Sequence, residues 1–584
     1  MEIFSRHVRK VWIAVLFAGL VAAATAGAWL RLEDLGGKPM HHDESEQAYT
    51  LGKLLDGKGY QYKKEDHHGP VLYYLTAWSC WATGRNALGE VDAAFVRRVP
   101  AIAGVALMLV PILWLRRGKG RQPRVSTAAV TTAVALGATS PTAVYYARYF
   151  VQETLFALCF WGAVPLLWFA LRKPRAQEDD GAAATVFSRT RPVLAALAGA
   201  LFGGAMALKE TWVLMAGAAG AGAVAVLVLD GITGAAWLRA RNGRGVDWGG
   251  ISLTLAIFGG AALVVMTLFF SSFGANPAGI VDSVRTYGGY FDKAFASPHD
   301  KPFDWYWTTF FSGAHRYGKT SFILEQYALL GAVAAIVPLF FRKLWRGEER
   351  RIGVFSVVSG AALLLIYSVL RYKTPWLVTG ILPPLWMASG LAFAGWWRGL
   401  SAIARRTPRP WLGGAFLRTF LLLGVLGAAV GQWKSAAFLT SARFSSHERN
   451  PLAYVHSTQD VKEIEMQARR VAPFVAAGRD PVFACVFAQE HGPLLWALRA
   501  WNPGRQFDEG GRVWVSATAP AKGILPDLPD PPIIITDDTT EAIVAGNLTA
   551  RYVCLPEVLR PGYTVQLRIR KDLLEKALDA ELGR

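Results

Sequence analysis

Residues 40–75 read MHHDESEQAYTLGKLLDGKGYQYKKEDHHGPVLYYL, which places four of the chain's ten histidines and its densest acidic cluster just beyond the apolar run 11–30, VWIAVLFAGLVAAATAGAWL. Ionisable groups beside a hydrophobic span carry a desolvation penalty. His41, His42, Asp43, Glu44, Glu46, Asp66, His67 and His68 are therefore expected to do chemistry or hold a ligand there. A plain polar loop with helix-capping acids would need neither the tandem histidine pairs nor the flanking apolar runs.

Outward from this stretch the chain is apolar in windows of about twenty residues. Of its 584 residues 53% are hydrophobic, and the mean hydropathy is +0.26. The expected fold class is a polytopic α-helical membrane protein. Eleven spans read at 11–30, 93–115, 125–145, 151–171, 192–208, 212–229, 251–273, 321–341, 352–370, 376–396 and 415–432. MEIFSRHVRK resembles the charged start of a signal peptide. The run after it is long enough to span, which favours a first helix with a cytoplasmic N-terminus.

The net charge of +19 gathers in short connections: RRGKGRQPR after the second span, RKPR and SRTR after the fourth, LRARNGR after the sixth, FRKLWRGEERR after the eighth and WRGLSAIARRTPRP after the tenth. That alternation is what the positive-inside rule produces, and it removes nucleic acid as the reason for the basic excess. It places those five loops in the cytoplasm. Residues 31–92, 274–320, the turns at 209–211 and 371–373, and the C-terminal tail fall outside, in a multi-pass protein of the cell (inner or plasma) membrane.

In the first outer loop, Ala48, Leu51, Leu54 and Leu55 recur at helical spacing over 43–56, and Gly69-Pro70 opens a second helix, VLYYLTAWSCWATG. Both read as juxtamembrane helices. The second outer loop carries Tyr287, Tyr290, Trp305, Tyr306 and Trp307, an aromatic density suited to the membrane surface. From about residue 435 helices and strands alternate, so the expected division is a transmembrane domain, 1–434, with outer loops 31–92 and 274–320, and an extracytoplasmic α/β domain, 435–584, with a largely parallel sheet. Cys80, Cys159, Cys485 and Cys554 have no zinc or redox spacing. Cys485 and Cys554 read as free thiols, with a disulfide between them as the alternative.

Transfer of a group from a lipid-linked donor would need a base for the acceptor and cations for a phosphate leaving group. Asp43 and Glu44 are the carboxylates for the first task. Arg148 in SPTAVYYARYFVQE, Lys209 in LKET, and Arg371 with Lys373 in RYKTPW are the cations for the second. His41, His42, Asp66, His67, His68 and Tyr73 are expected to line the acceptor side. No cofactor is required. A divalent metal would find nitrogen and oxygen ligands in His42, Asp43, His67 and His68, although HHDE and DHH stand more than twenty residues apart and match no spacing motif.

The 40–75 stretch resembles the first outer loop of the GT-C membrane glycosyltransferases of the protein O-mannosyltransferase and lipid A aminoarabinose transferase type. SPTAVYYARYFVQE, LKET, YKTPWL, NPLAYVHSTQDV and HGPLLWALRAW look like landmarks of that superfamily's flippase-activity-associated branch, so the likeness covers about residues 1 to 500. The resemblance implies a GT-C bundle of about eleven helices and a polyprenyl-phosphate-linked sugar as donor. It implies inverting transfer outside the membrane to a lipid, glycan or protein acceptor. Asp43 matches the family's catalytic aspartate and Glu44 its neighbour, while Arg148 and the 371–373 turn fall where related enzymes contact the donor phosphate. Mannosyltransferases show His-Pro-Pro-Leu where this chain has Gly69-Pro70-Val71, so the resemblance does not extend to mannose or to a protein acceptor. The branch also admits an alternative, a non-catalytic component of a lipid-linked sugar flippase or glycan-assembly system.

Overall fold

A computed structural model of the chain describes residues 2–62, 68–115, 125–171, 182–233, 246–295, 300–313, 315–341, 343–345, 347–404, 410–475, 482–501, 512–516, 530–545 and 551–583. Among these, eight helices are long and apolar enough to cross a membrane: Val11–Leu32, Ala93–Trp114, Glu153–Leu171, Trp212–Ile232, Trp248–Phe270, Gly347–Val369, Pro375–Ala404 and Phe416–Thr440. The other three expected spans fall on the shorter apolar helices Thr127–Thr139, Arg191–Met206 and Gln326–Phe340. Proline marks two breaks in these spans, one after Thr139 and one between Gln326–Ala334 and Ile336–Phe340. Pro141 begins a new helix, Pro141–Ala147, after Ser140, and Pro338 has no N–H to return to the Ala334 carbonyl.

The chain divides into two compact units, one of residues 1–33, 61–72 and 100–440, the other of 34–60, 73–99 and 441–584. In the first, Pro375–Ala404 is the buried centre. Its Leu382, Trp386 and Leu391 are fully buried, and it packs on Thr127–Thr139, Gln326–Ala334, Gly347–Val369 and Pro410–Thr440. Helices at the margin expose Val15, Phe17, Leu253, Val264, Phe416 and Phe420, an apolar surface suited to lipid rather than water. Residues 278–322 contribute a helix, Ala278–Phe295, a short π-helical turn, Trp307–Phe311, and a hairpin of β1 (His315–Tyr317) and β2 (Thr320–Phe322).

The second unit is built on strands β3 (Ala484–Phe487), β4 (Val513–Ser516), β5 (Ile533–Asp537), β6 (Tyr552–Arg560) and β7 (Tyr563–Arg570), in the order β4-β3-β5-β7-β6. The sheet is mixed rather than largely parallel: β3 runs parallel to β4 and β5, and β7 runs antiparallel to β5 and β6. A tight turn at Pro561-Gly562, with Gly562 at φ 80°, joins β6 to β7, and so short a connection can only reverse direction. β3 and β5 are buried along their whole length, which is why ACVF and the III of β5 are continuous apolar runs. Val461, Ile464 and Ala468 of the helix Asp460–Val471 and Leu573 of Lys571–Glu581 share one core with the sheet, and Val544 of Asp538–Ala545 belongs to a second.

Both helices expected over 43–56 and from Gly69-Pro70 onward form, as His42–Leu55 and Val71–Ala82. His42–Leu55 packs against a short helix, Gly492–Ala497, within the second unit. All four cysteines are free thiols. Cys485 on β3 and Cys554 on β6 are separated by β5 and β7, about 14 Å across the sheet at the usual strand spacing, beyond disulfide reach.

Candidate functional site

In the second unit the site begins with the cap of His42–Leu55. His41 precedes the helix in extended conformation, and its Nδ1 accepts the Asp43 backbone N–H at 3.1 Å. Glu44 accepts the His41 N–H at 3.0 Å, which completes a capping box. The same carboxylate receives Arg97 through Nε and NH2, both at 2.7 Å, and stands 3.5 Å from Lys38 Nζ. Arg97 also donates to the carbonyls of Leu35, Lys38 and Pro39 at 2.8, 2.8 and 3.0 Å, so it clasps the entry loop to the helix. Burial opposes charge on Glu44, yet Arg97 and then Lys38 outweigh it and hold the carboxyl well below its usual range.

Asp43 is placed differently from its neighbours. Its side chain is 38% exposed, and its Oδ1 is 3.9 Å from His41 Nδ1. Among the described residues its carboxylate has no hydrogen bond. His41 is buried, with Nε2 2.6 Å from the Tyr454 carbonyl oxygen, and burial lowers its pKa. His456 is pushed down to about 4 by burial and then by His41 and Lys38. His42 pairs with Glu46 at 3.2 Å, and that hydrogen bond raises its pKa. Tyr73 stacks on Tyr60 and donates to Gln47.

The proposed cations and His68 belong to the first unit. Gly69 donates to the Leu208 carbonyl at 3.1 Å, and a Cβ on it would lie 2.1 Å from the Ala207 oxygen, so glycine is required where this segment meets the start of the LKET turn. Lys209 is buried and ion-paired with Glu153. Glu210 accepts Tyr62 Oη–H at 3.0 Å and lies 3.4 Å from His68 Nδ1. Arg148 donates through NH1 to the Leu30 and Glu33 carbonyls at 2.8 and 2.6 Å. Lys373 is buried, donates to the Lys301 carbonyl at 3.1 Å and to that of Leu370, and has its pKa lowered by burial. Arg371 is 62% exposed, 3.8 Å from Asp300. Asp66 and His67 lie outside the described residues.

No sequence-family model and no curated protein sequence matches the chain. Solved structures do. ArnT from Cupriavidus metallidurans bound to undecaprenyl phosphate aligns with a TM-score of 0.54 at 14% identity over 95% of this chain and 98% of that one. The oligosaccharyltransferase of Archaeoglobus fulgidus in its apo form gives 0.51 at 12% identity over 89% and 69%. The same archaeal enzyme, AglB, with an inhibitory peptide and a dolichol-phosphate gives 0.50 at 12% over 98% and 78%. The chain has the GT-C fold.

Within this GT-C fold, four residues around His41 and Glu44 went unread in the sequence: Lys38, Arg97, Tyr454 and His456. Tyr454 and His456 do lie in the landmark NPLAYVHSTQDV, and Arg97 sits at the head of an apolar run, where a charge signals a buried partner. Among the described residues no three His, Cys, Asp or Glu side chains gather as a metal-ligand set. His42 is turned to Glu46, and His67 falls outside the described residues.

Proposed function

We propose that this protein is a glycosyltransferase that moves a sugar from a polyprenyl phosphate to an acceptor on the extracytoplasmic face, with inversion and with Asp43 as general base. The fold supports the class, since ArnT is seen with undecaprenyl phosphate and AglB with a dolichol-phosphate. The alternation of basic loops supports the side. The observation that carries the assignment is the contrast at 41–44: His41 and Glu44 are buried and bonded, while the Asp43 carboxylate between them is open to an incoming hydroxyl or amine.

In this mechanism Asp43 takes the acceptor proton as the acceptor atom bonds the anomeric carbon. The bond from that carbon to the phosphate oxygen breaks on the opposite side, and its electron pair leaves with polyprenyl phosphate. A positioned base contributes roughly 10²- to 10⁴-fold. Glu44 holds the helix start that carries Asp43. In the first unit, Arg371 offers the exposed guanidinium a donor phosphate requires. Transfer from a radiolabelled polyprenyl-phosphate sugar in membranes tests the assignment. Asp43→Asn is expected to lower transfer by about 10²- to 10⁴-fold. Undiminished transfer sinks Asp43 as base, and sugar-lipid scrambling without any transfer by the wild type would favour the non-catalytic flippase component instead.

A further inference from the structure

His41 is an unusual helix cap, since serine, threonine, aspartate and asparagine do that work elsewhere. What an imidazole adds is a second nitrogen on the far side of the ring. Nε2 lies 2.6 Å from the Tyr454 carbonyl oxygen, which can only accept, so Nε2 carries the proton. Nδ1 faces the Asp43 N–H at 3.1 Å, so it carries the lone pair. One neutral tautomer satisfies both contacts, and the ring is 2% exposed.

The far anchor is itself constrained. Tyr454 is 413 residues away in sequence, and the next residue, Val455, has φ 46°. A β-branched residue seldom enters that left-handed region, and such strain persists where the surroundings over-determine it. That torsion helps set the peptide plane whose carbonyl meets His41. Lys38, Asp43 and Glu44 from the ring's own segment and His456 from the 450–457 segment surround it, with Arg97 held on Glu44. Asp43 Oδ1 is 3.9 Å from Nδ1, so a proton on Nδ1 would be offered to the carboxylate meant for the acceptor.

We infer that His41 is a positioning residue for Asp43: a neutral imidazole, locked in one tautomer, that ties the backbone of the base to the Tyr454–Val455 peptide and presents a lone pair rather than a proton to its side. The inference rests on Asp43 as the base, and its test separates the two. His41→Asn keeps a good cap but is too short to hold both anchors, whereas His41→Ala keeps neither. With full-length protein in membranes, both variants are expected to lose kcat by about tenfold to a hundredfold, the scale of a displaced reacting group, with KM for the donor within about twofold. The asparagine variant, which keeps the cap, is expected to stay folded with an unfolding temperature closer to the wild type than that of His41→Ala. Full recovery of kcat by His41→Asn would reduce His41 to a cap and overturn the inference while leaving Asp43 in place. Nitrogen-15 spectra of the histidine rings at neutral pH supply a readout independent of turnover: a bare Nδ1 and protonated Nε2 for His41 uphold the tie. A protonated Nδ1 overturns it. A wild type without transfer activity would remove the base assignment, and the spectra would still judge the tie.

Discussion

Arg97→Met should open the start of the helix His42–Leu55. The Arg97 and Glu44 side chains are both at 0% exposure, and the arginine is shared among Glu44 and the carbonyls of Leu35, Lys38 and Pro39. Methionine fills much of the same volume but takes the bidentate guanidinium from Glu44, a buried carboxylate that keeps Lys38 at 3.5 Å. Removing one partner of such a pair costs about 3–5 kcal/mol. At 1.4 kcal/mol per power of ten, the open population should rise between about a hundredfold and a few thousandfold. Hydrogen exchange of the helix amides reads this directly. Because the harm comes from the charge left behind, Arg97→Met combined with Glu44→Leu should be milder than Arg97→Met alone. Glu44 has a folded pKa below the ordinary 4.5, so its contribution is complete above that value and disappears as pH falls through the folded pKa. Helix amides that exchange within about fivefold of the wild type in Arg97→Met would refute the clasp, since that ratio is only about 1 kcal/mol.

Gly69→Ala should impair folding of the first unit more than an ordinary loop substitution does, because the new methyl would meet the Ala207 carbonyl oxygen at 2.1 Å; a wild-type unfolding temperature would show that the docking can shift. Cys554 is exposed, whereas Cys485 is buried with its thiol pushed up to about 12 by burial. A maleimide should therefore label Cys554 and spare Cys485 in the folded protein, and reductant should leave stability unchanged. A reductant-sensitive loss would mean the two are bridged.

The spans could be read in the sequence because membrane burial acts on every residue of a window alike, so the signal adds up locally. The helix His42–Leu55 could be read for the related reason that Ala48, Leu51, Leu54 and Leu55 face one side and are largely buried there. The mixed sheet could not: β6 contains Pro556 and alternates buried with exposed residues, as an edge strand does, and its pairing with β7 depends on a turn two residues long. Asp43 stood out by its neighbours. What distinguishes it from Glu44 did not, because that depends on Arg97, which comes 53 residues later. The same holds for His41, whose second anchor comes 413 residues later.

The candidate cations show a general reason why such residues are overcounted as ligand groups. In hydrocarbon every helix end must find partners for its open backbone groups, and a charged side chain at that end meets the need first. The break at Ser140 makes this concrete. Arg31 donates to the Gly137 and Ala138 carbonyls at 2.8 and 3.0 Å, closing the C-terminus of Thr127–Thr139, and Glu325 accepts the Ser140 hydroxyl and the Thr142 N–H at 2.8 and 3.0 Å, closing the N-terminus of Pro141–Ala147. Each charge has the sign that the helix dipole favours at its end. Arg148 likewise holds the Leu30 and Glu33 carbonyls at the end of the first helix, Lys209 neutralises Glu153, and Lys373 serves the Leu370 carbonyl of its own turn and that of Lys301. Three of the four expected cations are thus engaged by the fold itself. Arg371 is the member of the set whose charge remains largely in solvent, and the proposal of a donor phosphate there rests on that exposure rather than on its place in the sequence.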